Sequence, residues 1–202
     1  MLVTVDIGNT NITIGIFDKD ELIGTYRLTT KVRRTSDEYG FMLKNFLDRS
    51  NVHEKQIEAV IVSSVVPKVM HSFTNGIKKF VGIEPLIVGP GIKSGISVQL
   101  ENPRNVGADR IADCAGAFSE HGGPILVADF GTATTYDYVD ENGCFKAGAI
   151  GVGIETGANA LWGQTAQLPE IEIKRPKTIL ARNTQTEMQA GVFYQFLGGV
   201  EY

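Results

Sequence analysis

Two short segments each end an apolar run on an aspartate and place a glycine two residues later. They lie at residues 2–10 and 125–133, and the aspartates are Asp6 and Asp129. Glycine permits a tight turn and close approach of a ligand, and the exposed N–H groups, with neighbouring Asn and Thr side chains, can donate to phosphate oxygens. Aspartate is a hard oxygen ligand for Mg²⁺. The pair of segments favours phosphate binding, although a single copy would be explained by an ordinary tight turn.

A third segment, residues 102–110, carries a candidate general base. Pro103 requires a turn or an extended path. Gly107 precedes a predicted helix, so Asp109 and Arg110 lie in its first turn, where the helix dipole favours anions. Phosphoryl transfer to an alcohol needs a carboxylate to accept the hydroxyl proton and cations to balance the phosphate charge. The alternative explanation is an aspartate at a helix start beside a surface pair, Arg104 and Arg110.

The composition excludes several classes of protein. The chain has 202 residues, 43% hydrophobic and 21% charged, with a net charge of −4, which is typical of a soluble globular protein rather than a disordered one. It has no basic stripe of the kind that nucleic-acid binders show. It also lacks an apolar run of the roughly 18 residues that a membrane span needs. Residues 1–6 lack the basic region and the cleavage site of a signal peptide, so we expect them to form the first β-strand. Cys114 and Cys144 are interpreted as reduced thiols of a cytoplasmic protein.

The first and second segments belong to a longer internal repeat. In each copy, the segment is followed by a second strand-like run, an acidic turn and a third run. The two copies lie about 120 residues apart in the chain. Helices separate the copies: a capping box at Thr35 and Glu38 predicts one helix start. Further helices are expected over residues 106–118 and 184–200, and around Trp162. Alternating strands and helices indicate an α/β fold.

We place a boundary at residues 116–124, where His121-Gly-Gly-Pro124 interrupts the pattern. The predicted halves are residues 1–118 and 119–202. Each half is expected to be a mixed sheet that opens with an Asp-x-Gly hairpin and is flanked by helices. The chain has no Gly-x-x-x-x-Gly-Lys-Ser/Thr motif and no Gly-x-Gly-x-x-Gly after a strand, so P-loop and dinucleotide sites have no support.

The motifs together resemble one known family. Four motifs, in this order, are similar to those of type III pantothenate kinases, and the resemblance extends over essentially the whole chain. The motifs are Asp6-x-Gly-Asn-Thr10, Asn102-Pro-x-x-Val-Gly-Ala-Asp-Arg-Ile111, Asp129-x-Gly-Thr-Ala-Thr134 and Arg182-Asn-Thr184. This resemblance implies the actin-like, or ribonuclease H-like, fold of the acetate kinase, sugar kinase and actin superfamily, whose two halves are duplicated. It also implies a homodimer with the substrate site close to the dimer interface, across which the last helix is expected to act. The expected reaction is ATP-dependent phosphorylation of pantothenate to 4′-phosphopantothenate, the first step of coenzyme A synthesis.

The resemblance also implies a role for each matching residue. Asp109 would be the catalytic proton acceptor. Asp129 would hold a monovalent cation, K⁺ or NH₄⁺, and Asp6 would lie near Mg²⁺. The residues expected to bind ATP are Asp6, Ile7, Gly8, Asn9, Thr10, Asn11, Ile12, Thr13 and Thr132, and those expected to bind pantothenate are Leu100, Gly107, Ala108, Asp109, Arg110 and Thr184.

Three departures from the family pattern leave alternatives open. Leu100 stands where the family usually has tyrosine, so that substrate contact is lost or replaced. Gly151-Val152-Gly153 stands in place of Ala-Pro-Gly, and the family continues for several tens of residues beyond Tyr202. The alternatives are a catalytically silent paralogue that binds a nucleotide or a regulatory partner, and a superfamily kinase or phosphatase with another acceptor.

Overall fold

The computed structural model describes residues 1–202 and consists of nine strands, five α-helices and two short 3₁₀ helices. The strands are β1 (Leu2–Ile7), β2 (Asn11–Asp18), β3 (Glu21–Thr29), β4 (Ala59–Ser64), β5 (Leu86–Ile87), β6 (Ser97–Val98), β7 (Ile125–Phe130), β8 (Ala133–Val139) and β9 (Cys144–Val152). The α-helices are α1 (Ser36–Arg49), α2 (Pro67–Phe80), α3 (Ala108–His121), α4 (Ile154–Gly163) and α5 (Thr184–Glu201). The 3₁₀ helices cover Glu54–Gln56 and Pro103–Asn105. None of the helices combines the length and the apolar character needed to span a membrane.

The first sheet has the strand order β3-β2-β1-β4-β5, with β1 antiparallel to β2 and parallel to β4. Along β1, Val3, Val5 and Ile7 are at most 3% exposed and pack in the core with buried side chains of α1 and α2. Because successive residues of a strand face opposite sides of the sheet, Asp6 lies on the face away from this core. The alternation of β1 therefore decides which side of the sheet carries the candidate phosphate site.

Helix α1 begins at the predicted capping box. Thr35 Oγ1 accepts a hydrogen bond from the Glu38 N–H at 3.3 Å, and the Glu38 carboxylate accepts one from the Thr35 N–H at 2.7 Å. The second of these hydrogen bonds holds the pKa of Glu38 below its usual value. Tyr39, Leu43 and Leu47, which follow at helical spacing, are buried against the sheet.

Helices α1 and α2 approach closely at Gly76, which gives a stability prediction. A Cβ at this position would lie 2.7 Å from the Ser36 carbonyl oxygen, so Gly76→Ala is expected to lower the free energy of unfolding by about 2 kcal/mol through overpacking. The matched control is Gly116→Ala on α3, where a Cβ would meet nothing within 4 Å and alanine should stabilise the helix by up to about 1 kcal/mol. Urea denaturation measures both effects, and equal effects of the two substitutions would contradict the packing argument.

The first compact unit of the chain consists of Met1–Ile125 and Val139–Ala147. The later segment belongs to it because β6 pairs in parallel with the start of β9, where Val98 lies opposite Phe145. The sequence did not indicate β6, which has only two residues. Helix α3 begins two residues later than predicted and continues through His121, into the region where we placed a boundary. The division into halves 1–118 and 119–202 stays a prediction.

The second compact unit consists of Leu126–Tyr138 and Gly148–Tyr202. It contains most of β7 and β8, the end of β9, and helices α4 and α5. The Phe130 ring lies edge-on to Phe196 of α5, with the ring centroids 5.7 Å apart. The second sheet has the strand order β6-β9-β8-β7. Strand β9 begins in the first unit and ends in the second. The two sheets flanked by helices confirm the predicted α/β fold class.

Candidate functional site

In the first unit, Asp6 lies between two hydroxyl residues on neighbouring strands. It is opposite Thr13 of β2 and opposite Ser63 of β4. All three line a groove of about 410 Å³ over the face of the sheet that points away from the core. The Asp6 side chain is exposed to solvent. The strand register therefore places one carboxylate and two hydroxyl groups together, a set of hard oxygen donors.

Ser63 was not among the predicted site residues. It is 6% exposed, and its Oγ is buried without a hydrogen-bond partner. A buried hydroxyl group without a partner costs free energy, so this atom is suited to accept or donate to a ligand beside Asp6. The signal available in the sequence was the serine pair that ends the apolar run of β4, which is also an ordinary way for a strand to end.

Hydrogen bonds within the turn and from Thr30 stabilise the turn between β1 and β2. The Gly8 N–H donates to the Asn11 carbonyl at 2.9 Å. Thr30 Oγ1 donates to the Gly8 carbonyl at 2.8 Å, and the Thr30 N–H donates to the Thr10 carbonyl at 2.9 Å. Asn9, Thr10 and Asn11 are exposed at the tip of this turn. The turn is therefore preorganised to present polar groups to solvent.

Two of the predicted ATP-binding residues, Ile7 and Ile12, are fully buried in the core. Their side chains cannot reach a nucleotide, so any contact from them would use the main chain. Thr13 is partly buried and lies opposite Asp6. The predicted segment Asp6 to Thr13 thus divides into core residues and residues that face a possible ligand.

Asp109 lies in the first turn of α3, as predicted. Its Oδ1 accepts a hydrogen bond from the Arg110 N–H at 2.8 Å, and a Cβ at Gly107 would overlap that oxygen. Glycine at 107 therefore provides the space that the carboxylate occupies. Ala108, between them, is buried, whereas Leu100 is partly buried.

Val65 lies beside both the start of α3, which carries Asp109, and the end of β1. The Val65 N–H donates to the Ile7 carbonyl at 3.1 Å, and a Cβ at Gly107 would lie 3.6 Å from Val65 Cγ1. The start of α3 and the Asp6 strand therefore meet at one residue that follows β4. The sequence offered no signal for Val65, since it reads as one more apolar residue after a strand.

Arg110 lies over an aromatic ring from a distant part of the chain. Its Cζ is 5.2 Å from the ring centroid of Phe145, which is fully buried near the start of β9. This is a cation–π distance. Sequence reasoning did not connect Phe145 with the site.

In the second unit, the turn after β7 carries Asp129 and Thr132. Asp129 is exposed, and the Gly131 N–H donates to the Ala133 carbonyl at 3.0 Å. The Thr132 carbonyl accepts from the Gly153 N–H at 3.1 Å and from Thr156 Oγ1 at 2.7 Å. The start of α4 therefore holds this turn in place. The turn between β7 and β8 is one residue shorter than the corresponding turn between β1 and β2, which begins at Gly8.

Thr184 is the first residue of α5 and is exposed. The helix is capped by Asn183, whose Oδ1 accepts from the Thr186 N–H at 3.0 Å. The structure therefore places Thr184 at a helix N-terminus, where an anionic ligand is favoured.

No cluster of three or more His, Cys, Asp or Glu side chains forms a metal site. Asp6 and Asp129 are single carboxylates beside hydroxyl or main-chain oxygens. Mg²⁺ is commonly held by one or two carboxylates, water and substrate phosphates, so the donors at Asp6 fit it. At Asp129, a Cβ on Gly131 would lie 3.7 Å from Oδ2, an ordinary van der Waals distance, so Gly131 lies directly beside the carboxylate.

A family model and the sequence relatives agree on one family. A family model described as type III pantothenate kinase matches residues 2–202. The chain is 58% identical over 201 residues to the type III pantothenate kinase of Bifidobacterium longum subsp. infantis, covering 100% of this chain and 79% of that protein. It is 52% identical to the type III pantothenate kinase of Agathobacter rectalis and 43% identical to that of Listeria monocytogenes, in each case covering 100% of this chain and 78% of the relative.

Among solved structures, the chain resembles one from Campylobacter jejuni that is described as a conserved Baf family transcriptional activator. The TM-score is 0.56 with 18% sequence identity, covering 98% of this chain and 77% of that one. A likeness at this identity concerns the fold alone. The family model and the relatives confirm the resemblance that the motifs indicated. This chain belongs to the type III pantothenate kinase family.

Proposed function

We propose that this chain transfers the γ-phosphoryl group of ATP to the primary hydroxyl group of pantothenate, which yields 4′-phosphopantothenate for coenzyme A synthesis. Membership in the family supports this reaction. The observation that supports the proposal most directly is the position of the Asp109 carboxylate at the start of α3. Val65 lies between this helix start and the end of β1, the strand that contains Asp6.

Asp109 accepts the proton of the pantothenate hydroxyl group in this proposal. The hydroxyl oxygen then forms a bond to the γ-phosphorus while the bond to the β–γ bridging oxygen breaks, and ADP leaves. The hydrogen bond from the Arg110 N–H orients Oδ1 of Asp109, so Oδ2 is directed to the substrate. Arg110 and the N-terminus of α3 balance negative charge on the substrate. Gly107, Ala108 and Leu100 complete the substrate pocket of the first unit. The resemblance separately assigns pantothenate binding to Thr184 at the start of α5.

In this proposal the polar turn Gly8–Asn11 of the first unit binds phosphate oxygens of ATP. The resemblance separately assigns ATP binding to Thr132 of the second unit. Mg²⁺ held near Asp6 would neutralise charge on the phosphate oxygens, and K⁺ or NH₄⁺ held at Asp129 would do so at a second position. Asp6, with Thr13 and Ser63 beside it, holds water or phosphate oxygens in a fixed geometry. We place the enzyme in the cytoplasm as a homodimer, in keeping with its two cysteines, which form no disulfide, and with the dimeric state that the resemblance implies.

The test is ADP release from the purified chain with ATP, Mg²⁺ and K⁺, with and without pantothenate. Release that depends on pantothenate and decreases when Na⁺ replaces K⁺ is the expected result. ATP binding without any release would favour a silent paralogue. Release stimulated by a sugar or acetate rather than pantothenate would favour a superfamily kinase with another acceptor.

A further inference from the structure

Four polar residues form one row across the first sheet. Thr13 of β2 lies opposite Arg27 of β3 and opposite Asp6 of β1. On its other side, Asp6 lies opposite Ser63 of β4. Residues directly opposite each other on neighbouring strands project from the same face of a sheet. Adjacent strands are about 5 Å apart, so Arg27 lies about 10 Å from Asp6, with the Thr13 hydroxyl group between them.

The neighbours of Arg27 along β3 agree with this placement. Tyr26 and Leu28 are partly buried and pack against the core. The Tyr26 ring stacks on Phe46 of α1, with the ring centroids 4.4 Å apart. Because successive residues of a strand face opposite sides of the sheet, Arg27 projects from the face that carries Asp6 and the groove. Arg27 is exposed there.

The end of β3 is also fixed to the turn between β1 and β2. Thr29 pairs with Asn11, at the end of that turn, and the Thr29 carbonyl accepts a hydrogen bond from Arg34 Nη1 at 2.8 Å. Thr30, the next residue, holds the same turn through two hydrogen bonds. Arg27 therefore lies on a strand whose position is set relative to the proposed phosphate turn.

Two anions of the proposed reaction could bind a cation here: the phosphates of ATP and the carboxylate of pantothenate. The candidate pantothenate residues lie at the start of α3, and Ala112 of this helix lines the groove together with Ser63, at the β4 side of the row. In the proposed reaction the γ-phosphoryl group approaches Asp109 on that side. The two phosphates that stay on ADP then extend toward β3 and Arg27. A guanidinium group matches phosphate oxygens with two parallel N–H donors.

We infer that Arg27 binds the α- and β-phosphates of ATP through its guanidinium group, across Thr13 from Asp6. The inference rests on the proposed function and deepens it, because it adds a cation from β3 to the nucleotide site. These two phosphates are charged before and after the transfer, so the contact stabilises bound ATP and the transition state equally. Its loss should therefore raise KM for ATP and leave kcat nearly unchanged.

Calorimetric binding of ADP, measured without pantothenate, tests the contact directly. Arg27→Gln removes the charge and is expected to weaken ADP binding about 10-fold or more, the usual effect of losing a hydrogen bond to a charged group. KM for ATP should rise by a similar factor, while kcat and KM for pantothenate change by less than about 3-fold. Arg27→Lys keeps the charge without the paired donors, so its ADP affinity should lie between those of Arg27→Gln and wild type.

The matched control makes the same change of charge on the other face of the sheet. Arg49 is exposed in the last turn of α1, which packs against the core face, so Arg49→Gln should keep ADP affinity within about 2-fold of wild type. The competing explanation is that Arg27 only keeps the edge strand β3 from pairing with other chains. In that case Arg27→Gln would promote self-association, seen by analytical ultracentrifugation, and its ADP affinity would equal that of Arg49→Gln.

The outcomes separate this inference from the proposed function. Weaker ADP binding by Arg27→Gln than by Arg49→Gln supports the inference. Equal ADP affinities of these two variants would overturn it, as would a large fall in kcat with ADP affinity unchanged, and pantothenate phosphorylation by the wild-type chain would still support the proposed function. A wild-type chain that binds ADP through Arg27 without phosphorylating pantothenate would overturn the proposed reaction and keep Arg27 as a phosphate-binding residue.

Discussion

Replacement of Asp109 by asparagine is expected to lower kcat for pantothenate-dependent ADP release by about 10³-fold. Asparagine has nearly the same shape, and its carbonyl oxygen can still accept the hydrogen bond from the Arg110 N–H that Oδ1 accepts now. The start of α3 should therefore keep its structure. What is lost is the negative charge and the ability to take the proton of the attacking hydroxyl group, so the effect should fall on turnover rather than on KM for ATP.

The matched control removes a carboxylate from the other end of the same helix. Glu120 is exposed near the end of α3, and Glu120→Gln should leave kcat within about 2-fold of wild type, as expected for a surface change remote from the chemistry. Steady-state kinetics and thermal unfolding of both variants decide the matter. Turnover by Asp109→Asn close to that of wild type, in a folded protein, would show that another group accepts the proton.

The sequence predicted the elements that repeat with a regular period. The apolar run that ends on Asp6 was predicted to be a strand, and the capping box at Thr35 predicted the start of α1; both agree with the structure. These features depend on residues close together in the chain, where side-chain periodicity and local hydrogen bonds decide the conformation. The same applies to Asp109, whose place in the first helical turn follows from Gly107.

The contacts that the sequence did not reveal all join distant residues. Ser63 comes to Asp6 through parallel strand pairing, and Val65 joins Ile7 to Gly107. Arg110 meets Phe145 at the start of β9, where the two-residue strand β6 also pairs. Such a short strand has no detectable period, and strand pairing is set by the packing of the whole unit rather than by either segment. The motifs therefore supply the candidates for the reacting groups, while the residues that contact those candidates become known only from the structure.

Gly153→Ala is expected to lower kcat/KM for ATP by about 10²-fold, the cost of a displacement of about 1 Å near the reacting groups. A Cβ at Gly153 would overlap the Gly131 carbonyl oxygen and lie 2.7 Å from the Thr132 carbonyl oxygen. Both atoms are main-chain atoms, so no side-chain rotation relieves the overlap. The turn that carries Asp129 and Thr132 must move away from α4.

Gly157→Ala provides the matched control for this displacement. It lies one turn further along α4, and a Cβ there would meet only the Val152 methyl groups at 3.8 Å, an ordinary van der Waals distance. Alanine at 157 should therefore stabilise the helix by up to about 1 kcal/mol and leave activity unchanged. Kinetics at varied ATP and K⁺ concentrations test the pair. Because Gly153 acts on the turn of Asp129, its substitution should also raise the K⁺ concentration needed for half-maximal activity. Equal activity of the two variants would mean that the turn after β7 tolerates displacement and does not hold the phosphates or the cation.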